Sequence, residues 1–145
     1  MKRIVTTSIL AALAFSAASA QWAPAGDRIM TEWGESLGPE NVLAEYPRPI
    51  MERSEWMNLN GLWDYAIVSL GEEFPESPDG KILVPFAVES ALSGVGKTVG
   101  EDKELVYRTE FQVPAKWKGK RILLNFGAVD WKSEIWVNGI KAGSH

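Results

Sequence analysis

Apolar and polar residues alternate with a period of two from Leu59 onward, the pattern of half-buried β-strands. Residues 62–69 (LWDYAIVS) predict one strand, and residues 81–85 (KILVP) predict a shorter one that ends at Pro85. Because side chains alternate between the faces of a strand, Trp63 is expected in the core. The first strand is thus divided into one face with Leu62, Asp64, Ala66 and Val68 and another with Trp63, Tyr65 and Ile67.

The alternation continues through the second half of the chain. Residues 105–114 (LVYRTEFQVP) predict a strand closed by Pro114, with one face made of Leu105, Tyr107, Thr109, Phe111 and Val113. Residues 121–126 (RILLNF) predict another strand, with Ile122, Leu124 and Phe126 inward. In EIWVNGIKAG, Asn138-Gly139 separates two extended runs and predicts a β-hairpin, because both turn positions need a positive φ.

Five strands therefore follow one another without intervening helices. A parallel sheet needs crossover connections of a dozen residues or more, so the order predicts an all-β fold, an antiparallel sandwich or barrel. Residues 21–57 show no sustained period and are interpreted as an extended lead-in segment. Pro47 and Pro49 are expected to hold it extended, and a short helical turn is expected near Pro39 to Ala44.

The first 20 residues have the organisation of a cleavable secretory leader. Met1-Lys2-Arg3 is basic, Ile4 to Phe15 is apolar but too short to span a bilayer, and Ala18-Ser19-Ala20 is a small-residue cleavage site. An amphipathic helix of the mature fold is the alternative, but the segment has no polar face. Cleavage after Ala20 predicts a periplasmic or secreted protein with no membrane span.

Charge and composition exclude several classes of function. The chain has 15 basic and 19 acidic residues, and removal of Lys2 and Arg3 with the leader leaves 13 against 19, a net charge of −6. The basic residues are scattered among acids, which argues against a nucleic-acid partner. With no cysteine and His145 as the single histidine, neither a His/Cys zinc site nor a Ser-His-Asp triad is expected, since nothing is expected to hold the last residue. The residues imply no metal and no organic cofactor.

Residues 90–100 (SALSGVGKTVG) contain a run from Ala91 to Thr98 that fits a loose phosphate-binding loop. Such a loop must follow a strand directly and open a helix. Here Pro85 and further residues separate Val84 from the motif, and only residues 99–103 precede the next strand. Residues 86–103 are therefore predicted to be a long inter-strand loop without a nucleotide site, in which Glu89 and Ser90 make local backbone hydrogen bonds.

Four collinear stretches resemble the N-terminal sugar-binding domain of family 2 glycoside hydrolases, the group of β-galactosidases, β-glucuronidases and β-mannosidases. They are LNGLWDYAI (59–67), ILVPFAVESALSGVG (82–96), LVYRTEFQVPAKWKGKRILLNFGAVDW (105–131) and IWVNGIKAGSH (135–145). The resemblance implies a galactose-binding-like jelly-roll sandwich over residues 58–145. The chain departs from the family at Val106, Thr109 and Asn125. Relatives often have an aromatic residue at the first position, a basic residue near the second and a histidine at the third.

In that family the jelly roll packs on an immunoglobulin-like domain and a (β/α)₈ barrel, and the barrel carries the two catalytic glutamates of a retaining mechanism. No acid of this chain is assigned to either role, including Glu89, Glu104, Glu110 and Glu134. Relatives continue beyond a histidine like His145 with further strands. The resemblance therefore implies a partial sandwich and an N-terminal fragment that is inactive alone and prone to aggregate.

The leading hypothesis is the front end of an exported glycosidase that removes terminal sugars, with a carbohydrate substrate bound by the full-length enzyme. This domain would brace the barrel and contribute to the rim of the active site. Asp130, Trp131 and His145 are the candidate substrate-proximal residues, although a strand-end turn with a packed indole is the favoured explanation of each. A free-standing carbohydrate-binding module is the alternative, and a nucleotide-binding protein is a third hypothesis that rests only on the loop motif.

Overall fold

A computed structural model describes residues 22–26 and 28–145 of the chain. The predicted leader, residues 1–20, lies outside the described residues. The chain divides into two compact units, one that ends at Phe111 and a second from Gln112 to His145. Its strands are antiparallel and its helices are few and short, so the all-β prediction is confirmed at this level. None of the helices in the described residues is both long and apolar enough to cross a membrane.

The first unit is built on a three-stranded sheet in the order β2-β1-β3. Its strands are β1 (Gly61–Ser69), β2 (Gly80–Val84) and β3 (Lys103–Arg108), and both pairings are antiparallel. The central strand pairs Trp63 with Ile82 on one side and Tyr65 with Tyr107 on the other. β1 and β2 are where the alternating pattern placed them, because each has the apolar, β-branched or aromatic residues that suit a half-buried sheet.

The core lies on the face of the sheet to which the side chain of Trp63 belongs. Tyr65, Ile82 and Val88 are buried at its centre, and partly buried apolar side chains pack around them: Trp63, Ile67, Val84, Val95, Val99 and Leu105. The expected inward position of Trp63 is thus confirmed. Ala66, Val68 and Leu83 belong to the opposite face and are also buried, so the sheet is covered on both sides near its middle. Burial of each large apolar side chain contributes roughly 1.5–3 kcal/mol.

The lead-in segment contains more local structure than the sequence predicts. A one-turn helix, α1 (Glu32–Glu35), begins after Thr31, whose Oγ1 accepts a hydrogen bond from the Gly34 N–H. The predicted turn after Pro39 is present at residues 39–43. The extended conformation predicted around Pro49 is wrong, because residues 49–51 form a 3-10 helix. Proline is acceptable at that first position because it has no N–H to leave unpaired.

The second unit contains the predicted hairpin, formed by β4 (Glu134–Val137) and β5 (Ile140–Ser144). Asn138 and Gly139 have φ values of 50° and 77°, so both central turn positions are left-handed as the Asn-Gly pair requires. A 3-10 helix at Ala115–Trp117 precedes it along the chain. The hairpin prediction is therefore confirmed in its turn geometry, and the ladder has a register irregularity between Ile135 and Trp136.

In the second half of the chain, the strand predicted at residues 105–114 is present only to Arg108, and the strand predicted at residues 121–126 is wrong. β3 ends at Arg108, and Phe111 and Val113, which were expected on its inner face, are exposed. Residues 121–126 form no strand, and Ile122, Leu124 and Phe126 are 46%, 42% and 45% exposed instead of inward. Alternation of apolar and polar residues favours a β-strand, but a strand forms only where a neighbouring strand pairs with its backbone N–H and C=O groups. Among the described residues no strand pairs with 121–126.

Candidate functional site

The loop between β2 and β3 is ordered by two serines. Ser90 begins a 3-10 helix at Ala91–Ser93: its hydroxyl accepts from the Ser93 N–H at 3.2 Å and donates to the Ala87 carbonyl at 2.7 Å. The predicted local hydrogen bonding of Ser90 is thus confirmed. The helix has three residues and is followed by strand β3 at Lys103, so the loop lacks the helix that a phosphate-binding motif opens.

Ser93 is fully buried and is the hydrogen-bonding centre of this loop. Its hydroxyl lies 2.8 Å from the Ser90 carbonyl and 3.0 Å from the Val88 carbonyl, and it accepts from the Val95 N–H at 3.0 Å. A buried hydroxyl with these partners fixes the turn that leads into Gly94 and Gly96. The serines and glycines of this stretch, Ser90, Ser93, Gly94 and Gly96, therefore serve backbone geometry.

The lead-in segment lies on the same loop and uses its carbonyl oxygens. The Ala25 N–H donates to the Ala91 carbonyl at 2.8 Å, the Trp22 indole N–H to the Ser93 carbonyl at 3.4 Å, and Arg28 Nη2 to the Gly96 carbonyl at 2.9 Å. Carbonyl acceptors on this side of the loop attract donors, whereas a phosphate cradle presents N–H groups. The ammonium of Lys97 lies 5.9 Å from the centre of the Tyr65 ring.

The candidate rim residues all lie in the second unit and are exposed. Trp131 is 79% exposed, and Asp130 and His145 are exposed as well. His145 is better held than the sequence suggested, because its N–H and C=O pair with the C=O and N–H of Ser133 at 2.9 and 2.7 Å. The expectation that nothing holds the last residue is therefore wrong. A substrate-proximal role for the three residues stays a prediction.

A second arrangement of polar side chains crosses the three-stranded sheet. Asp64 on β1 lies directly opposite Lys81 on β2 and Arg108 on β3. Lys81 Nζ is 2.7 Å from Asp64 Oδ1, and Arg108 Nη2 is 4.0 Å from Asp64 Oδ2. The three side chains line a shallow cleft of about 340 Å³. We call this the Asp64 cleft, and its other lining residues are Leu62, Thr109 and Glu110.

The guanidinium of Arg108 is positioned from a further side. It stacks over the ring of Phe74 at 4.3 Å from the ring centre, a cation–π contact that restricts its orientation. On the other face of β3, burial and then the nearby Glu89 carboxylate raise the pKa of the Tyr107 hydroxyl to about 12. The Tyr107 hydroxyl is therefore protonated at neutral pH and is not a general base.

The alternating pattern of the strands does not predict the Asp64 cleft. The available signal was Asp64 itself, an acid within the most apolar predicted strand, but its partners are fixed by strand register across loops. Within the described part of the chain, no group of three or more His, Cys, Asp or Glu residues is placed to hold a metal ion. The cleft is thus a charged, hydrogen-bonding site without the ligands of a metal centre.

The fold and the cleft together define an all-β protein with an antiparallel sheet and a polar surface site. Comparison with protein-family models gave no match, and comparison with curated proteins gave none either.

Proposed function

We propose that this chain is the N-terminal sugar-binding domain of an exported family 2 type glycoside hydrolase, a partial jelly roll that braces a catalytic barrel. The carrying observation is that the residues of the resemblance form consecutive antiparallel strands. Most of β1, the end of β2 and most of β3 come from LNGLWDYAI, ILV and LVYR, residues 59–67, 82–84 and 105–108. A jelly roll is made of such antiparallel neighbours.

In this proposal the catalytic glutamates belong to a barrel outside these 145 residues, and the described acids have other roles. Glu104 accepts from the Gly71 N–H at 2.8 Å, and Glu134 is paired with Lys141 across the hairpin. Retaining hydrolysis needs two carboxyl groups about 5–5.5 Å apart around the scissile bond. Acids that hold a turn and a hairpin support assignment of catalysis to another domain.

The exposed side chain of Trp131 supports a contact with sugar or with a neighbouring domain. An indole that is 79% exposed contributes little to the stability of its own unit, and flat aromatic faces are suited to the C–H face of a pyranose. Asp130 beside it offers carboxylate acceptors for sugar hydroxyls. These two residues and His145 are the proposed contribution of the domain to an active-site rim.

The reading frame beyond codon 145 tests the proposal. The expected result is a frame that continues for several hundred codons, with alternating strand and helix patterns typical of a (β/α)₈ barrel. A stop codon at position 146 in the authentic gene would contradict the enzyme. In that case exposed Trp131 and Trp136, at 79% and 59%, would favour the free-standing carbohydrate-binding module.

A further inference from the structure

We propose that the Asp64 cleft is a binding site for one uncharged, polyhydroxylated ring, such as a neutral monosaccharide unit. The cleft is formed on the three-stranded sheet, away from the proposed rim residues in sequence and in a different unit. The choice of sugars as probes rests on the proposed function, whereas the site itself is argued from its own geometry.

The two hydrogen-bonding groups at the centre of the cleft are spaced for a hydroxyl. Arg108 Nη2 and Asp64 Oδ2 are 4.0 Å apart, too far for a direct hydrogen bond. A hydroxyl oxygen about 2.8 Å from each spans that distance, since it accepts from the guanidinium and donates to the carboxylate. Asp64 Oδ1 is already bound to Lys81 Nζ at 2.7 Å, so one carboxylate oxygen anchors the cluster and the other faces the guanidinium.

The charges of the cleft balance. Lys81 and Arg108 are cationic, and Asp64 and Glu110 are anionic, so the lining carries no formal net charge. An ionic ligand therefore gains no net attraction, while donors and acceptors alternate across the site. Vicinal hydroxyls, each of which is both donor and acceptor, match that alternation, and Thr109 is a further polar residue of the lining.

The size and the walls of the cleft agree with a single ring. Its volume of about 340 Å³ is at the lower end of small-molecule sites, which are typically about 300–1,000 Å³. Leu62 provides an apolar wall for ring C–H groups. Arg108 is held in place by Phe74, so binding does not have to immobilise a free arginine side chain.

Binding is measured on residues 21–145, isolated as a monomer by size-exclusion chromatography. Backbone ¹H–¹⁵N spectra are titrated with methyl β-D-galactoside, methyl β-D-glucoside and methyl β-D-mannoside. We expect millimolar binding of at least one of them, with shifts at residues 62–64, 81 and 108–110. Sodium glucuronate and glucosamine should bind at least threefold more weakly. Tighter binding of either charged sugar, or shifts confined to residues 130–136, would overturn the proposal.

Two variants separate the cleft from a general loss of structure. Asp64→Asn should weaken binding at least about tenfold, because a hydrogen bond to a charged group is lost. Thr109→Val keeps side-chain shape and should weaken it several-fold. Glu76→Gln, an exposed acid outside the cleft in the same unit, should leave affinity unchanged. If Asp64→Asn does not fold, unchanged affinity in Thr109→Val is enough to reject the site. The reading-frame result is independent of these titrations.

Discussion

Gly94 connects the lead-in segment to the loop after β2. It has φ of +78°, and a Cβ at this position would lie 2.5 Å from Trp22 Nε1 and 2.7 Å from Trp22 Cδ1. Two separate requirements therefore select glycine: the left-handed backbone and the closely packed indole. The loop pattern that resembled a phosphate-binding motif is explained at this residue by packing.

Gly94→Ala is predicted to destabilise the first unit by about 2–4 kcal/mol, as the sum of left-handed strain and overpacking against Trp22. The matched control is Gly71→Ala, because Gly71 has φ of +81° and nothing within 4 Å of an added Cβ. The control should cost only about 1–2 kcal/mol. Urea denaturation of each variant measures the difference.

The same pair in a Trp22→Ala background tests the cause. Removal of the indole should eliminate most of the excess cost of Gly94→Ala over Gly71→Ala, and the backbone carbonyl of Ala23, 3.2 Å from the added Cβ, should account for the remainder. The Gly71→Ala cost should not change. Equal costs of the two alanines in the Trp22 parent would show that the indole does not pack on Gly94.

Residue roles were predictable from sequence only where they are local. The cap formed by Ser90 uses partners three residues away and was anticipated. The bond from Trp22 to the Ser93 carbonyl joins residues 71 positions apart, and no local pattern contains it. The Asp64 cleft depends in the same way on the register of three strands, which a single alternating strand does not define.

At the scale of elements, turn-forming residues predicted the structure more reliably than the alternation of apolar and polar residues did. Asn138-Gly139 predicts its hairpin because the conformational requirement lies within the two residues themselves. The alternation of residues 121–126 is as clear, yet the segment forms no strand. A strand at this position needs a pairing strand from another part of the chain. The sequence of the segment itself does not show whether such a strand is present.

The hairpin also supports a pH prediction. The pKa of the exposed Glu134 carboxyl is lowered below its ordinary value of 4.5. The largest cause is the hydrogen bond from Lys141, followed by the charge of Lys141 and then the charge of Lys132. A lowered pKa means that this pairing stabilises the hairpin above the ordinary pKa and is lost as pH falls through the folded value. A ¹³C titration of the Glu134 carboxyl should have its midpoint below 4.5.

Two lysine variants identify the source of that shift. Lys141→Met should return the Glu134 midpoint toward 4.5, whereas Lys132→Met should move it much less, because Lys132 acts only through its charge. A midpoint that responds equally to both substitutions would mean that the cross-strand hydrogen bond does not hold the carboxylate.

At the scale of the whole molecule, the antiparallel all-β class was predictable, whereas the strand pattern left the choice between a sandwich and a barrel open. Consecutive strands without crossover helices leave few alternatives for the direction of pairing, and β1, β2 and β3 pair accordingly. How strands are layered depends on contacts distant in sequence. The proposed jelly roll and the proposed glycosidase activity therefore rest on the collinear resemblance of residues 59–145.

The most direct test of the central claim is hydrolysis of 4-nitrophenyl β-D-galactoside, β-D-glucuronide and β-D-mannoside. The assay compares the purified full-length product of the gene with residues 21–145 alone. We predict that the full-length product releases nitrophenol from at least one substrate and that residues 21–145 alone release none above the blank. Hydrolysis by residues 21–145 alone, or none by the full-length product on any terminal-sugar substrate, would contradict the account.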